Sequence, residues 1–381
     1  MFLIFFSVVL TIYGLINTYI FLRGWQTIPA ESPWRTAYAA LFWMLALSFI
    51  AGRVLEHVAL SWFSDVLVWT GSFWLAAMAY FLLILLCIDL LRLFDRFVPF
   101  FPGSLRSLSM TGRQLIAAGI LVVVALAVTY GHLNARTPRV RTIELTIAKR
   151  SAVPSLKVVA VSDVHLGTLV CRRFFARIVE DINALDPDLV LFAGDVIDED
   201  LEPVIRQDLG ESLKRIKSRL GVYGITGNHE FIGGVEEAAA YLTEHGVRLL
   251  RDSTATVDDA IVLVGREDVS RRQFEGKERR PLEEFAGSID RSLPIILMDH
   301  QPIDLQPAVD FGADLQISGH THNGQLWPFN YIAEAVYEVS WGLKQKASTF
   351  IYVSSGVGTW GPPVRTGNVP EIVVFNLQFQ R

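Results

Sequence analysis

Residues 157–195 read KVVAVSDVHLGTLVCRRFFARIVEDINALDPDLVLFAGD, and the fold turns on how this stretch is read. KVVAVSD and DLVLFAGD are short apolar runs of strand type, while CRRFFARIVEDINAL between them carries its apolar residues at helical spacing. Strand, helix, strand is the repeating unit of an α/β plan. Working outward, the plan continues through a helical segment near Glu202–Leu220, the strand GVYGITGN and a helical VEEAAAYLTEHG. Upstream, RTIELTI alternates polar and apolar residues as a first strand, with Pro138 and Pro154 as punctuation on either side. A second set of strands follows with less helix between them: AIVLVGRED, PIILMDH, DLQISGH, TFIYVSSGVG and EIVVFNL. Two packed mixed sheets flanked by helices accommodate both sets.

Ahead of this α/β region the composition changes. Residues 1–135 hold seven Arg, no Lys and five acids, which leaves 27 of the 34 basic and 34 of the 39 acidic residues to the remainder. That acidic balance argues against a nucleic-acid partner, which is held by clustered Lys and Arg. Charge-free apolar runs occur at Phe2–Leu22, Thr36–Gly52, Val66–Ile88 and Gln114–Gly131. Each is near the ~20 residues that a bilayer core requires, so the expectation is a transmembrane helical domain over 1–135 and a catalytic domain over 136–381. The first run lacks a preceding basic residue and a small-residue cleavage pattern, and reads as a span rather than a signal peptide. Trp25, Trp34 and the segment from Arg92 to Gly103 mix aromatics with Arg as interfacial anchors do. Arg53, Glu56 and His57 fall where the second span ends, with Arg53 and Glu56 spaced to pair on one helical face.

Arg23 and Arg35 lie between spans one and two, and Arg92, Arg96, Arg106 and Arg113 between three and four. If these loops face the cytoplasm, both termini are outside, in an inner or plasma membrane, against the counter-signal of Arg136, Arg139 and Arg141. Cys87 and Cys171 are too few and too differently placed for a disulfide framework.

The chemistry sits where strands stop. Asp163 and His165, in SDVHLG, are two apart at a strand end and project to the same side. Asp195 closes DLVLFAGD, Asn228 and His229 follow GVYGITG, His300 follows LMD, and His320 and His322 lie in GHTHNGQ. Carboxyl ends of strands are where α/β sheets bind ligands. These Asp, Asn and His residues form an oxygen and nitrogen set suited to Mn, Fe, Zn or similar divalent ions. These are too many ligands for one ion. If Asp195 bridges, two ions hold a hydroxide placed for in-line attack on phosphorus.

The series SDVHLG, GDVID, GNHE, DH followed by QP, and GHTHNGQ resembles the calcineurin-like metallophosphoesterase superfamily, with its motifs in order across Asp163–Gln325. The closing YVSSGVGTWGPPVRTGNVPEI resembles the branch of membrane-anchored bacterial phosphoesterases. The likeness covers about residues 140–377, outside the spans. It implies one metal held by Asp163, His165, Asp195 and His322 and another by Asp195, Asn228, His300 and His320. It also implies that His229 acts as proton donor to the leaving oxygen or stabiliser of developing charge, with Asp198 orienting it. Gly319 and Gly324 would let the loop fold so that its two imidazoles reach different metals.

Glu230 reads as a helix-opening acid, and Trp327, Trp341 and Trp360 read by default as packing residues. Arg365, whose planar fork suits phosphate, is a candidate substrate contact. The expected activity is hydrolysis of a phosphodiester or pyrophosphate bond, in a lipid or cell-envelope precursor, at the bilayer surface. The alternatives are a soluble nucleotide or phosphomonoester substrate, and a non-catalytic sensor or transporter. The completeness of the ligand set and the few polar residues in the spans weigh against the last.

Overall fold

A computed structural model describes residues 2–285 and 287–380; the expected domain limits Met1 and Arg381 lie outside the described residues. The chain forms two compact units, Met1–Gly131 and His132–Arg381. The first consists of α1 (Phe2–Trp25), α2 (Trp34–Val58), α3 (Trp62–Phe97), the single turn α4 (Gly103–Arg106) and α5 (Met110–Ala135), whose last residues belong to the second unit. Four of these helices are long and apolar enough to cross a membrane. Their lipid-type surfaces leave small residues to set the packing. A Cβ at Gly71 would overlap the backbone of Phe49, so α2 and α3 approach closely there. Several of its polar groups find partners inside the unit. Trp74 Nε1 donates to Asn17 Oδ1 at 2.9 Å, Arg23 pairs with Asp89, and Arg53 pairs with Glu56 at 3.0 Å on one helical face, as the spacing predicts.

The second unit is built in chain order from β1 (Arg139–Arg150), β2 (Ser155–Val161), α6 (Arg172–Ala184), β3 (Leu189–Ala193), α7 (Glu202–Arg206), α8 (Gly210–Leu213), β4 (Val222–Ile225), α9 (Asn228–Gly233) and α10 (Val235–Glu244). Then follow β5 (Val247–Leu249), β6 (Ser253–Val257), β7 (Ile261–Gly265), α11 (Arg271–Glu275), β8 (Ile295–Met298), α12 (Gln306–Phe311), β9 (Leu315–Ser318), α13 (Asn330–Val336), β10 (Gly342–Lys346), β11 (Thr349–Val353) and β12 (Glu371–Gln380). The strands form two six-stranded mixed sheets, ordered β1-β12-β2-β3-β4-β5 and β10-β11-β9-β8-β7-β6.

Between the sheets lies one core, with Leu191, Ile225 and Phe375 from the first meeting Leu263, Ile317 and Tyr352 from the second. Outside the first sheet, Phe175, Ile178 and Ile182 of α6 cover Val190 and Phe192. Outside the second, Phe285 and Phe311 cover Val264 and Leu297.

Two expectations need correction. EIVVFNL, grouped by sequence with the second set, is β12 of the first sheet, antiparallel to β2 and parallel to β1. The expected helix near Glu202–Leu220 is only the short α7 and α8, because Asp208 between them takes a left-handed φ of 55° that a helix cannot continue through.

Candidate metal centre

The ends of β2, β3, β4, β8 and β9 deliver the polar residues to one rim. Asp163 (φ 52°), His165 (53°), Asp195 (51°), His320 (71°) and His322 (44°) all adopt left-handed backbone, which turns their side chains off the strand direction. Backbone bonds hold the loops together: Asp163 N–H donates to Gly194 O at 3.1 Å, His165 N–H to Asp195 O at 3.0 Å, and Gly319 N–H to His300 O at 2.9 Å. The carboxylates add cross-links. Asp163 Oδ1 accepts from His320 N–H at 2.8 Å, and Asp195 Oδ1 from His229 N–H at 2.9 Å. A Cβ at Gly319 would overlap the Asp163 carboxylate, so that glycine permits a close approach, whereas Gly324 supplies a φ of 69° for the turn beyond His322.

All seven residues expected as ligands are gathered by these loops. His165 Nε2 and His322 Nε2 lie 3.0 Å apart, His322 Nε2 is 3.6 Å from Asp163 Oδ1, and His165 Nε2 is 3.9 Å from Asp195 Oδ2. On the other side, Asp195 Oδ2 is 3.0 Å from His300 Nε2, and Asn228 Oδ1 is 3.2 Å from His300 Nε2 and 2.7 Å from His320 Nδ1. One oxygen, Asp195 Oδ2, therefore faces both clusters. Ligands bound at about 2.0–2.3 Å sit roughly 3.3–3.8 Å from one another around a tetrahedral ion, and the separations here, from 2.7 to 3.9 Å, bracket that range. Asp163 Oδ2 is buried without a hydrogen-bond partner, a cost that a cation would remove. The donor set thus fits divalent metal. His165, Asp195 and His229 also come within ligand range of one another.

His229 is buried, with Nδ1 3.1 Å from Asp198 Oδ1 and 3.9 Å from Glu199 Oε1. Asp198 does more than expected, since the same Oδ1 lies 3.5 Å from His165 Nδ1. Trp360, 52 % exposed, stands edge-on to His229 with ring centroids 5.9 Å apart.

Glu230, read from sequence as a helix-opening acid, proves central. It is buried and accepts backbone N–H groups from Gly227 at 2.7 Å, Ile197 at 2.9 Å and Asp195 at 3.2 Å, clamping the Asp195 and Asn228 loops together. The signal was its place three residues after Gly227, where an acid side chain can reach back to free N–H groups.

Arg365 does not meet the expectation of a phosphate contact. It is fully buried, and its five N–H groups are engaged by Gly358 O, Ser355 O, Asn368 Oδ1 and His322 Nδ1. It fixes the rotation of the His322 ring and leaves no donor for an incoming anion.

Protonation follows from burial and neighbours. Burial pushes the Asp163 carboxyl up, with the charge of Asp195 adding to the effect. Burial acts the same way on Asp195 but is outweighed by His300, His229 and His165, which hold it well below the usual carboxylate range. Burial and the neighbouring His300 push His320 down to about 3, and burial, His165 and Arg365 push His322 down too. Asp195 kept ionised and His320 and His322 kept neutral are the states that metal ligation requires, whereas Asp163, raised by burial, and His300, raised against its burial by the Asp195 charge, would give up protons on taking up metal. His229 goes the other way, raised against its burial by Asp195 and Asp198 to about 9, so it holds a proton at neutral pH.

Comparison with known proteins agrees with this geometry. The description of the calcineurin-like phosphoesterase family matches residues 156–324. An uncharacterized metallophosphoesterase of Bacillus subtilis is 30 % identical over 288 residues, covering 71 % of this chain and 98 % of that protein. One from Campylobacter jejuni is 28 % identical over 389 aligned positions, covering 99 % of both chains. A transmembrane protein with metallophosphoesterase domain from Danio rerio is 32 % identical over 294 residues, covering 71 % of this chain but only 66 % of its own length.

Proposed function

The chain belongs to the calcineurin-like phosphoesterase family and is a metal-dependent phosphoester hydrolase; we propose that it cleaves a phosphodiester or pyrophosphate bond in a lipid-borne substrate, such as a cell-envelope precursor, at a dinuclear centre. The observation that carries the dinuclear reading is Asp195 Oδ2, which faces His300 Nε2 on one side and His165 Nε2 on the other. Asp163, His165, Asp195 and His322 would hold one ion, and Asp195, Asn228, His300 and His320 the second. When bound, the pair supplies a nucleophile ionised at neutral pH and Lewis acidity toward phosphoryl oxygen.

The chain's own residues supply the rest. His229, protonated through its carboxylate neighbours, gives its proton to the departing oxygen. Asp198 holds the His229 ring by Nδ1, leaving Nε2 toward the substrate. Glu230 keeps the two ligand loops in register. Four helices long and apolar enough to cross a membrane support a lipid-borne substrate, because tethering concentrates enzyme where such molecules are. The excess of Arg in the loops between the first two and the last two of these helices supports an extracytoplasmic catalytic unit. A soluble nucleotide is the competing substrate, favoured by the half-exposed Trp360 beside His229, on which a base would stack.

The test of the site is His229→Ala in the full chain. Turnover of a generic diester falls by roughly 100-fold or more while two metals per chain remain. A fall in metal content would make His229 a ligand and end its role as proton donor. Comparing a lipid pyrophosphate with a nucleoside diphosphate on the wild-type protein decides the substrate class.

A further inference from the structure

Apart from the metal centre, the second unit has a cavity of about 220 Å³ lined by Arg136, Cys171, Arg173, Phe174 and Arg177. Three guanidinium groups around so small a space form a strongly positive spot in a unit that is acidic overall. The buried Phe174 ring helps to place two of them. Arg136 lies over it with the guanidinium carbon 5.0 Å from the ring centroid, and Arg177 lies 5.6 Å away. Cation–π contact orients such groups. Arg173 and Arg177 are exposed and form no ion pair among the described residues; the acids one turn along α6 are Glu180 and Asp181, and burial raises the Asp181 carboxyl, with Arg177 lowering it in part and Glu180 adding to the rise.

We propose that this cavity binds the phosphate of an anionic lipid headgroup. The source of the phosphate follows from chain position. Arg136 is the first residue after α5, the fourth helix long and apolar enough to cross a membrane. Arginines at that point of a spanning helix lie among headgroups, where a negative lipid phosphate is the most abundant anion. A planar guanidinium takes two phosphate oxygens at once, and Arg173 and Arg177, four apart on α6, share one face and can act together. The bound lipid would hold the start of α6, seven residues beyond His165, at the bilayer surface.

The experiment titrates phosphatidic acid, phosphatidylcholine and inorganic phosphate separately into the detergent-solubilised full chain and counts bound molecules by native mass spectrometry. Phosphatidic acid is expected to bind the wild type in preference to phosphatidylcholine. Its affinity should fall roughly 10- to 30-fold in Arg173→Gln/Arg177→Gln, at about fivefold per arginine near a charged surface. Metal content and turnover of a soluble diester stay unchanged in that variant. The single variants Arg173→Gln and Arg177→Gln, each weakened about fivefold, carry the test should the double variant unfold. Undiminished phosphatidic acid binding in the variants overturns the site. Inorganic phosphate competing at the same concentration as phosphatidic acid assigns the cavity to a soluble anion and overturns the lipid source.

Discussion

Asp198→Asn tests two assignments with one substitution, because the carboxylate serves two imidazoles. Asp198 Oδ1 is 3.1 Å from His229 Nδ1 and 3.5 Å from His165 Nδ1. At 3.1 Å two unit charges interact by about 5 kcal/mol at an effective dielectric of about 20, which sets an upper bound. Glu199 Oε1, 3.9 Å from the same nitrogen, and the Asp195 charge remain in the variant. The His229 pKa, now about 9, should therefore fall by roughly 1–2 units, within the usual range for loss of one opposite charge. The sign is set by linkage. His229 is raised above its ordinary 6.5, so its protonated form stabilises the fold below that pH, and the contribution is lost as pH rises through about 9.

A proton donor also fails as it deprotonates, so the basic limb of the kcat/KM profile moves to lower pH in the variant by the same 1–2 units. The second consequence falls on His165, whose Nδ1 loses the negative charge 3.5 Å away. Affinity for the metal it holds should drop about 10- to 100-fold, so the pH profile must be taken at saturating metal. The assay is a pH-rate series on a soluble diester together with a metal titration. An unmoved basic limb at full metal loading would refute the coupling of Asp198 to His229 and the role assigned to both.

Asp195→Asn keeps the shape of the bridging side chain and removes its charge, so elemental analysis should find both metals lost together and turnover abolished; two metals retained with activity would end the dinuclear scheme. Glu230→Gln leaves one acceptor oxygen for three backbone N–H groups and turns a donor onto at least one of them. The full chain should lose about 2–4 kcal/mol of stability and bind metal more weakly, read by thermal unfolding and metal titration; an unchanged melting temperature would show that the clamp contributes nothing.

The clustering of the candidate site was legible because each short apolar strand is followed at once by residues that are costly to bury, and that coincidence survives without any knowledge of pairing. What pairs with what was less legible. RTIELTI alternates because β1 is an edge strand with one face outward, whereas EIVVFNL is apolar almost throughout because β12 runs between β1 and β2. Local pattern reports burial on two faces or one, and says nothing of which sheet, so β12 went to the wrong set. The broken helix at Glu202–Leu220 was hidden for a different reason. Its apolar spacing is acceptable, but a Cβ at Gly210 would overlap the His245 ring, a contact 35 residues distant in sequence. Arg365 and Glu230 show the limit most clearly. Depth decides whether an arginine reads an anion or holds a histidine, and whether an acid caps a helix or clamps two loops, and depth is a property of the assembled sandwich.

The backbone at the centre indicates why so much of the surrounding structure is rigid. Five of the seven candidate ligands, Asp163, His165, Asp195, His320 and His322, have positive φ. Left-handed backbone costs on the order of 1 kcal/mol or more at each residue bearing a Cβ, so together about 5 kcal/mol opposes this arrangement. That is comparable with the whole net stability of many domains, and such a loop would relax unless held at many points. The holding groups are those that sequence reasoning undervalued: Glu230 on three N–H groups, Arg365 on His322, and the Asp163 and Asp195 carboxylates on the N–H groups of His320 and His229. Glu230 and the two carboxylates tie one ligand loop to another, and Arg365 ties the His322 loop to the segment after β11. The cage is therefore a cooperative unit in which removing one tie loosens donors from several strands. Substitutions at Glu230 or Asp198 should accordingly affect metal affinity although neither residue is assigned as a ligand.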